Sequence, residues 1–166
     1  WEGKLSVGNA AMREELTGYA AKLGQPIEDT DFPFRMIGRR MTEMHNSNWH
    51  EDPVQRKRVP HHPAFMNPAD MERLGLEDGQ PVEVESARAM ISCVARSDET
   101  VRPGCASIPH SWGTNPDENE DPLGAGGNTG RLTDNEVHYD KRTGIPLMSS
   151  IPINIRAKEI QLEAAE

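Results

Sequence analysis

The segment 67–85 constrains the fold most, because it carries its own start, stop and turn signals. Asn67 can cap the first helical N–H groups, and Pro68 suits the first helical position. Gly75 can adopt the left-handed conformation that ends a helix, and Gly79 supplies the positive φ of a tight turn. Valine then alternates with glutamate, which is typical of a strand with one face in water. The segment therefore predicts a helix, a turn and a strand, and we interpret it as scaffold.

The composition indicates a single domain with a small core and long loops. The chain has 166 residues, which is enough for one domain with a proper core. Only 35% of the residues are hydrophobic, whereas 14 glycines and 13 prolines indicate many turns. The net charge of −9 argues against a nucleic-acid backbone as the main partner.

The cysteines and the lack of long apolar runs bear on the cellular compartment. Cys93 and Cys105 form no CxxC pair, so we interpret them as buried, reduced thiols, with a disulfide as the alternative. The sequence contains no signal peptide and no apolar run of membrane length, which predicts a cytoplasmic protein without membrane insertion. Because the first residue is Trp1 rather than methionine, we expect further sequence upstream.

Short and alternating apolar runs predict a mainly β domain. Apolar residues at three- and four-residue spacing within 11–23 predict a helix with one packed face. A hairpin is expected where the chain turns back near Arg88. The six predicted strands are 32–38, 63–66, 82–85, 90–95, 105–109 and 151–156, and together they indicate a β-barrel or sandwich with one or two short helices and long polar loops.

Three polar loops contain the candidate binding residues. The first loop, 39–50, combines two arginines with histidines, asparagines, a serine and a tryptophan. It offers fork-shaped cationic donors, neutral hydrogen-bonding groups and a stacking surface, which suit a large planar ligand that carries phosphate. The second loop, 110–115, places a His, a Ser and a Trp after a strand, and the third loop is 128–134. The alternative for each loop is a solvated connection with surface salt bridges.

Three further motifs give weaker signals. Adjacent His61 and His62 would point to opposite faces of an extended chain and have no carboxylate or cysteine cluster beside them, which argues against a metal site. The glycine-rich run 124–128 lacks the strand and helix context of a phosphate-binding loop. The basic run 55–58 is typical of a solvated face or of a contact with an acidic neighbour.

Several motifs follow one another in a distinctive order. They are Ile37-Gly38-Arg39-Arg40, His45-Asn46-Ser47-Asn48-Trp49-His50, the segment 67–79 with Val82-Glu83-Val84-Glu85-Ser86, Val101-Arg102-Pro103-Gly104, Pro109-His110-Ser111-Trp112-Gly113, and Asn128 with Leu132-Thr133-Asp134. In this order they resemble the C-terminal molybdopterin-dinucleotide-binding domain of the molybdopterin oxidoreductases. This is the dimethyl-sulfoxide-reductase family, which includes formate dehydrogenases and nitrate reductases. The resemblance covers roughly residues 33–157.

The resemblance implies a six-stranded double-psi β-barrel that packs against the catalytic body of a longer chain. Residues 1–31 would be a helix and linker from that upstream body, 32–157 the barrel, and 158–166 a charged tail. The implied cofactor is bis-(molybdopterin guanine dinucleotide) with molybdenum or tungsten. The metal ligand and any iron–sulfur cluster would belong to upstream domains, which agrees with the lack of a cysteine cluster here. The implied partners are those upstream catalytic domains, and the family also allows an electron-transfer subunit.

Carried onto this chain, the family's cofactor contacts fall on the three polar loops. Arginine can clamp a pyrophosphate, and Asn or Asp can pair with the donors and acceptors along a pterin edge. The resemblance predicts neither a catalytic residue nor a metal ligand within the chain. The implied cofactor-binding residues are Arg39, Arg40, His45, Asn46, Ser47 and His50 in the first loop, His110, Trp112 and Gly113 in the second, and Asn128, Thr133 and Asp134 in the third.

The resulting hypothesis is a domain that holds the cofactor for two-electron redox chemistry of the formate dehydrogenase or nitrate reductase kind and is inactive alone. A second hypothesis is a double-psi barrel that recognises a protein or substrate without a cofactor, as in ATP-driven remodelling machines. A third is a small stand-alone enzyme with His50 or His110 as general base, although no Ser or Cys nucleophile is placed to pair with either.

Overall fold

The computed structural model describes residues 3, 8–21, 23, 31–46, 48, 52–113, 121–141 and 143–159. Its six strands are β1 (Phe34–Arg39), β2 (Pro63–Met66), β3 (Pro81–Glu85), β4 (Met90–Ser97), β5 (Cys105–Pro109) and β6 (Ile151–Ala157). They close into a barrel in the order β1–β5–β2–β4–β3–β6. The predicted mainly β, six-stranded double-psi barrel is confirmed, and each predicted strand overlaps one of these six.

Two parallel strand pairs decide which loops meet at one end of the barrel. β1 runs parallel to β5, with Arg39 opposite Pro109, and β2 runs parallel to β4, with Pro63 opposite Val94. The other four pairs are antiparallel, including the predicted hairpin of β3 and β4. Because the carboxyl ends of parallel neighbours lie at the same edge, the loops that follow β1 and β5 leave the barrel together.

Alternation along the strands fills the barrel with aliphatic side chains. Val82 and Val84 of β3 are fully buried, whereas the glutamates between and after them are half-buried on the outer face. Ile151, Ile153 and Ile155 of β6 follow the same period of two. Full burial of such a side chain contributes roughly 1.5–3 kcal/mol relative to exposure, so this core is a main source of stability.

The described segments also contain three short α-helices and one 3-10 helix. They are α1 (Ala10–Ala20), α2 (Pro53–Arg58), α3 (Pro68–Leu74) and the 3-10 helix Thr129–Leu132. The caps predicted for α3 are confirmed. Asn67 Oδ1 accepts a hydrogen bond from the N–H of Ala69 at 3.0 Å, and Gly75 ends the helix with a φ of 66°.

Asp70 connects α3 to the turn that precedes β5. Its carboxylate is buried, and one oxygen accepts a 2.6 Å hydrogen bond from the backbone N–H of Gly104. The other oxygen accepts a 2.8 Å bond from Arg73 of the same helix. This buried carboxylate therefore fixes a tertiary contact in addition to favouring the positive end of the helix.

The first two helices differ from the sequence-based expectations. α1 has the predicted apolar spacing, but Leu16 and Tyr19 are 65% and 53% exposed, and no residue of the helix is buried within the described chain. The basic run 55–58, which the sequence suggested only as a solvated face or a contact with an acidic neighbour, lies in the helix α2. Asp52 caps this helix by accepting hydrogen bonds from two of its first N–H groups.

Two further features concern the cysteines and the helix lengths. Cys93 is buried as expected, whereas Cys105 is half-buried, and the two free thiols form no disulfide with each other. In the described segments, no helix combines the length and the hydropathy needed to cross a bilayer.

Candidate functional site

A cavity of about 210 Å³ opens at the carboxyl ends of β1 and β5. Arg39 and Arg40 reach this cavity from the end of β1, and His110 reaches it from the residue that follows β5. Thr129 and Thr133 line it from the 3-10 helix and the residue after that helix. Each of the three polar loops therefore contributes to one cavity. Its remaining lining residues are Met36, Gly38, Ile108 and Met148.

Arg39 is held by two contacts inside the protein. Its guanidinium donates a 2.8 Å hydrogen bond to Asp98 and lies 3.9 Å from the ring centroid of Phe65. The hydrogen bonds from Thr100 and from Arg39 lower the pKa of Asp98 to about 2. Because this carboxylate stays ionised, it compensates the charge of Arg39 at neutral pH.

Arg40 differs from Arg39 because its partner is neutral. Its side chain is exposed at the cavity, and its guanidinium donates a 2.6 Å hydrogen bond to Asn46 Oδ1. Within the described chain, no carboxylate forms an ion pair with Arg40. The cavity thus has one arginine whose positive charge is available to an anion.

Among the described residues, three other than glycine adopt positive φ near this end of the barrel. They are Asn46 at 55°, Ser111 at 100° and Ser150 at 61°. Asn46 bonds to Arg40, Ser111 follows His110, and Ser150 lies two residues after Met148 of the cavity wall. Backbone conformations of this kind cost free energy and cluster at ligand sites, so their concentration here marks the cavity as a functional candidate.

The second and third loops contact each other directly. Gly113 donates a 3.0 Å backbone hydrogen bond to the carbonyl of Ala125. It adopts a φ of +76°, and a Cβ added to it would lie 2.5 Å from the backbone nitrogen of Asn128. Asn128 itself is exposed and caps the 3-10 helix by accepting a 2.9 Å hydrogen bond from Gly130. Glycine at position 113 is therefore required by close backbone approach as well as by its φ.

His62, which precedes β2, lies buried beneath the same two loops. Its Nε2 lies 2.8 Å from the carbonyl oxygen of Pro109, and its Nδ1 accepts a 3.2 Å hydrogen bond from the backbone N–H of Gly127. Burial lowers its pKa to about 4, although its hydrogen bonds to backbone oxygens oppose this shift. The imidazole is therefore neutral near pH 7. With Nδ1 as an acceptor, Nε2 carries the hydrogen and donates it to Pro109.

The sequence did not predict that His62 is a buried imidazole bonded to two backbone groups. The His61-His62 pair indicated only a possible metal site, and the sequence argued against that site. In the described segments, no group of three or more His, Cys, Asp or Glu side chains is arranged to hold a metal. The neighbouring His61 lies with Nδ1 2.8 Å from the carbonyl of Leu123 instead. The sequence feature that could have indicated burial of His62 is its position immediately before the buried apolar strand β2.

Trp112 packs against the imidazole rather than lining the cavity. It is 2% exposed, and its ring stacks on His62 with centroids 5.3 Å apart and an interplanar angle of 12°. The guanidinium of Arg56 in α2 lies 5.1 Å from its ring centroid. The predicted cofactor residue Trp112 is therefore part of the packing that supports the second loop.

Asp134 lines a different, larger cavity of about 350 Å³ together with Arg88. Arg88 Nε and Nη2 donate to the two carboxylate oxygens of Asp134 at 3.0 and 3.1 Å. The carboxylate also accepts backbone hydrogen bonds from Glu136 and Val137. Arg88 and these N–H groups hold the pKa of Asp134 well below its usual range. Contact of this carboxylate with a ligand stays a prediction.

Of the remaining predicted cofactor-binding residues, one lines the cavity, one is exposed in the first loop, and two are not described by the structure. Thr133 lines the 210 Å³ cavity while its hydroxyl donates to the carbonyl of Gly130 at 2.7 Å. His45 is exposed and forms a short antiparallel bridge with Asn48. Ser47 and His50 lie outside the described residues.

Residues 34–152 match the sequence profile of the molydopterin dinucleotide binding domain. This match covers most of the chain, including β1 to β5 and the first two residues of β6. The chain belongs to the molydopterin dinucleotide binding domain family. The predicted resemblance is thereby confirmed at the level of the domain. No curated protein sequence matches the chain.

Acetylene hydratase from Pelobacter acetylenicus contains a region with the same fold as this molydopterin dinucleotide binding domain. The two structures superpose with a TM-score of 0.69 at 20% sequence identity, and the match covers 82% of this chain. The chain spans about a fifth of the length of that enzyme, since the match covers 20% of it. At this identity the comparison supports the fold alone.

The donors at the smaller cavity of this molydopterin dinucleotide binding domain fit part of such a cofactor. Arg40, which pairs with no carboxylate among the described residues, suits a phosphate, and the threonine hydroxyls and imidazole suit the polar edge of a heterocycle. A volume of about 210 Å³ is smaller than typical sites for a whole ligand of this size. The site therefore fits one portion of a dinucleotide and leaves the rest to surfaces outside this cavity.

Proposed function

We propose that this domain holds one side of a molybdopterin dinucleotide within a larger oxidoreductase. The observation that carries this proposal is the meeting of Arg40, His110 and Thr133 at one cavity, in a chain of the corresponding domain family. The parallel pairing of β1 and β5 accounts for this meeting, because it brings two separate loops to one edge. The alternative of a recognition barrel without a cofactor has no comparable support.

The charge state of each side chain suggests its role toward the cofactor. Arg40 would bind a phosphate oxygen, since its guanidinium has only the neutral Asn46 as a partner in the described chain. Arg39 would shape the cavity wall, because Asp98 already compensates its charge. His110 and the hydroxyls of Thr129 and Thr133 would hydrogen-bond the polar edge of the pterin.

The other predicted contacts depend on how the loops are held. Gly113 would set the approach of the second loop, and the exposed Asn128, which directly precedes Thr129 of the cavity wall, would reach the pterin. When bound, the cofactor supplies a metal centre that exchanges two electrons with the substrate. The chain's own residues bind, orient and desolvate the cofactor near that centre. Hydrogen bonds from these residues to the cofactor would also tune the reduction potential of the metal centre.

The whole enzyme would extend well beyond this chain. We propose that the cofactor is the bis-(molybdopterin guanine dinucleotide) with molybdenum or tungsten, and that upstream domains provide the metal ligand and any iron–sulfur cluster. The substrate chemistry would be of the formate dehydrogenase or nitrate reductase kind. Residues 1–31 would lie against the catalytic body, because Met12, Leu16 and Tyr19 of α1 expose a large apolar surface.

The proposal is tested by measuring cofactor content in the full-length protein. Arg40→Met should lower the amount of pterin and guanine nucleotide per protein by about tenfold, because a charged hydrogen bond to phosphate is lost. The matched control is Arg102→Met, which removes an exposed arginine of the turn before β5, outside the cavity. Pterin is quantified by fluorescence after oxidation, and the metal by mass spectrometry. Equal cofactor content in wild type and both variants would refute the assignment of Arg40.

A further inference from the structure

Two walls of the 210 Å³ cavity are connected through one buried side chain. His62 bonds to the carbonyl of Pro109 at 2.8 Å, and Pro109 is followed by His110 of the cavity wall. The same ring accepts a 3.2 Å hydrogen bond from Gly127, which lies two residues before Thr129 of the cavity wall. His62 lines no part of the cavity, yet it contacts the backbone immediately before both walls.

The surroundings of this imidazole leave little room for rearrangement. His62 is 0% exposed, and its ring stacks on Trp112. A Cβ added to Gly126 would overlap the Cβ of His62, so the segment that leads into the third loop passes directly over this residue. The second loop packs on the ring through Trp112, and the backbone of residues 126–127 packs on it just before the third loop, so both loops depend on the position of the ring.

The hydrogen bonds require the neutral form of the ring. Nδ1 must accept from Gly127 while Nε2 donates to Pro109, and only neutral imidazole has both an acceptor and a donor nitrogen. Protonation places a hydrogen on Nδ1 opposite the N–H of Gly127, which removes this contact. Within the part of the chain that the structure describes, the titratable and charged groups near the ring are the thiol of Cys93, 3.5 Å from Nδ1, and Arg56, which lies over the stacked Trp112.

We propose that His62 is a positioning residue that clamps the second and third loops in the geometry that closes the cofactor cavity, and that its protonation releases the third loop. This inference rests on the proposed function of the cavity. Burial keeps the imidazole neutral, with a pKa of about 4. The clamp is thus closed near neutral pH and opens when the medium becomes acidic.

Two substitutions of His62 each retain one of the two hydrogen bonds of the ring and remove the other. The carbonyl of His62→Asn can occupy the position of Nδ1 and accept from Gly127, whereas the amide of His62→Gln can occupy the position of Nε2 and donate to Pro109. Both remove the titrating group, and neither changes a cavity-lining residue. The matched control is His138→Gln, which changes an exposed histidine far along the chain.

The experiment measures amide hydrogen exchange of Gly127 and dissociation of the guanine dinucleotide in the full-length protein. In His62→Gln, we expect the protection factor of the Gly127 amide to fall about tenfold and the dinucleotide to dissociate faster, while strand β4 stays protected. His62→Asn should retain most of this protection. The wild type should lose it between about pH 5 and pH 4, and both variants should lose that pH dependence.

Each outcome decides the proposal. An unchanged Gly127 protection factor in His62→Gln would overturn the clamp, and so would a fall in protection without faster dissociation of the dinucleotide. If a variant fails to fold, the acid titration of the wild type decides alone, because the Gly127 amide should then lose protection before the β4 amides. If the wild type contains no dinucleotide, the proposed function fails, and the exchange data still report on the clamp separately.

Discussion

Gly113 and Asn128 lie in two different loops, and their backbones are in direct contact. The space for a Cβ on Gly113 is already occupied, because that atom would lie 2.5 Å from the backbone nitrogen of Asn128 and 2.8 Å from the carbonyl carbon of Gly127. Backbone atoms cannot rotate away as a flexible side chain can. The second and third loops therefore form one unit whose geometry depends on the absence of a side chain at position 113.

Gly113→Ala should destabilise the protein by about 3 kcal/mol, because overpacking against backbone adds to the strain of a left-handed alanine. The matched control is Gly104→Ala. Gly104 has a similar φ of +80° with nothing near its missing Cβ, so only backbone strain of about 1–2 kcal/mol is expected there. Urea unfolding followed by circular dichroism measures both values. Equal losses of unfolding free energy in the two variants would contradict this prediction, because they would mean that the backbone of Asn128 shifts to accommodate the added Cβ.

Asp70→Asn should lower the free energy of unfolding by about 2 kcal/mol, because an amide cannot accept from both Gly104 and Arg73. The substitution preserves the side-chain shape, so the loss reports on hydrogen bonding rather than on packing. Glu72→Gln on the same helix is the control, since Glu72 is exposed and should change stability by less than about 0.5 kcal/mol. An Asp70→Asn midpoint equal to that of the control would contradict a structural role for this carboxylate.

The sequence predicts those parts of the fold that depend on neighbours in the chain. The caps of α3 at Asn67 and Gly75 and the inward valines of β3 appear as expected, because short-range spacing determines them. The sequence also contained a usable signal for α2, since Asp52 precedes a proline at the first helical position.

Long-range contacts could not be predicted in the same way. The apolar spacing of α1 indicates which face is hydrophobic, but it does not say what covers that face. His62 receives its role from the backbones of Pro109 and Gly127, which lie 47 and 65 positions away. Likewise, the carboxylate of Asp134 bonds to Arg88 from a separate hairpin, 46 positions earlier. Side-chain type alone specifies none of these pairings.

Acidification should destabilise the wild type through His62. Its pKa is about 4 in the folded state and 6.5 without the fold, so the unfolded chain binds the proton first as the pH falls. The stabilisation present above pH 6.5 is therefore lost progressively between pH 6.5 and pH 4, by on the order of 3 kcal/mol in total. The measurement is the difference in unfolding free energy between wild type and His62→Gln across this range. A difference that does not change with pH would contradict a buried neutral imidazole.

Arg88 and Asp134 should act as a pair that fixes the turn after the third loop. Arg88→Met and Asp134→Asn should each lower the thermal midpoint slightly, and their effects should be less than additive at low salt, because both remove the two hydrogen bonds between these side chains. Arg88→Met should have the larger effect, since it also removes the hydrogen bond to Glu136. The coupling should fade near 1 M salt, where the screening length is about 3 Å. We expect both variants to keep the wild-type pterin content in the full-length protein, since neither residue lines the cavity of Arg40. A loss of pterin in Asp134→Asn alone would instead indicate that this carboxylate leaves Arg88 and binds the cofactor, as the family resemblance implies.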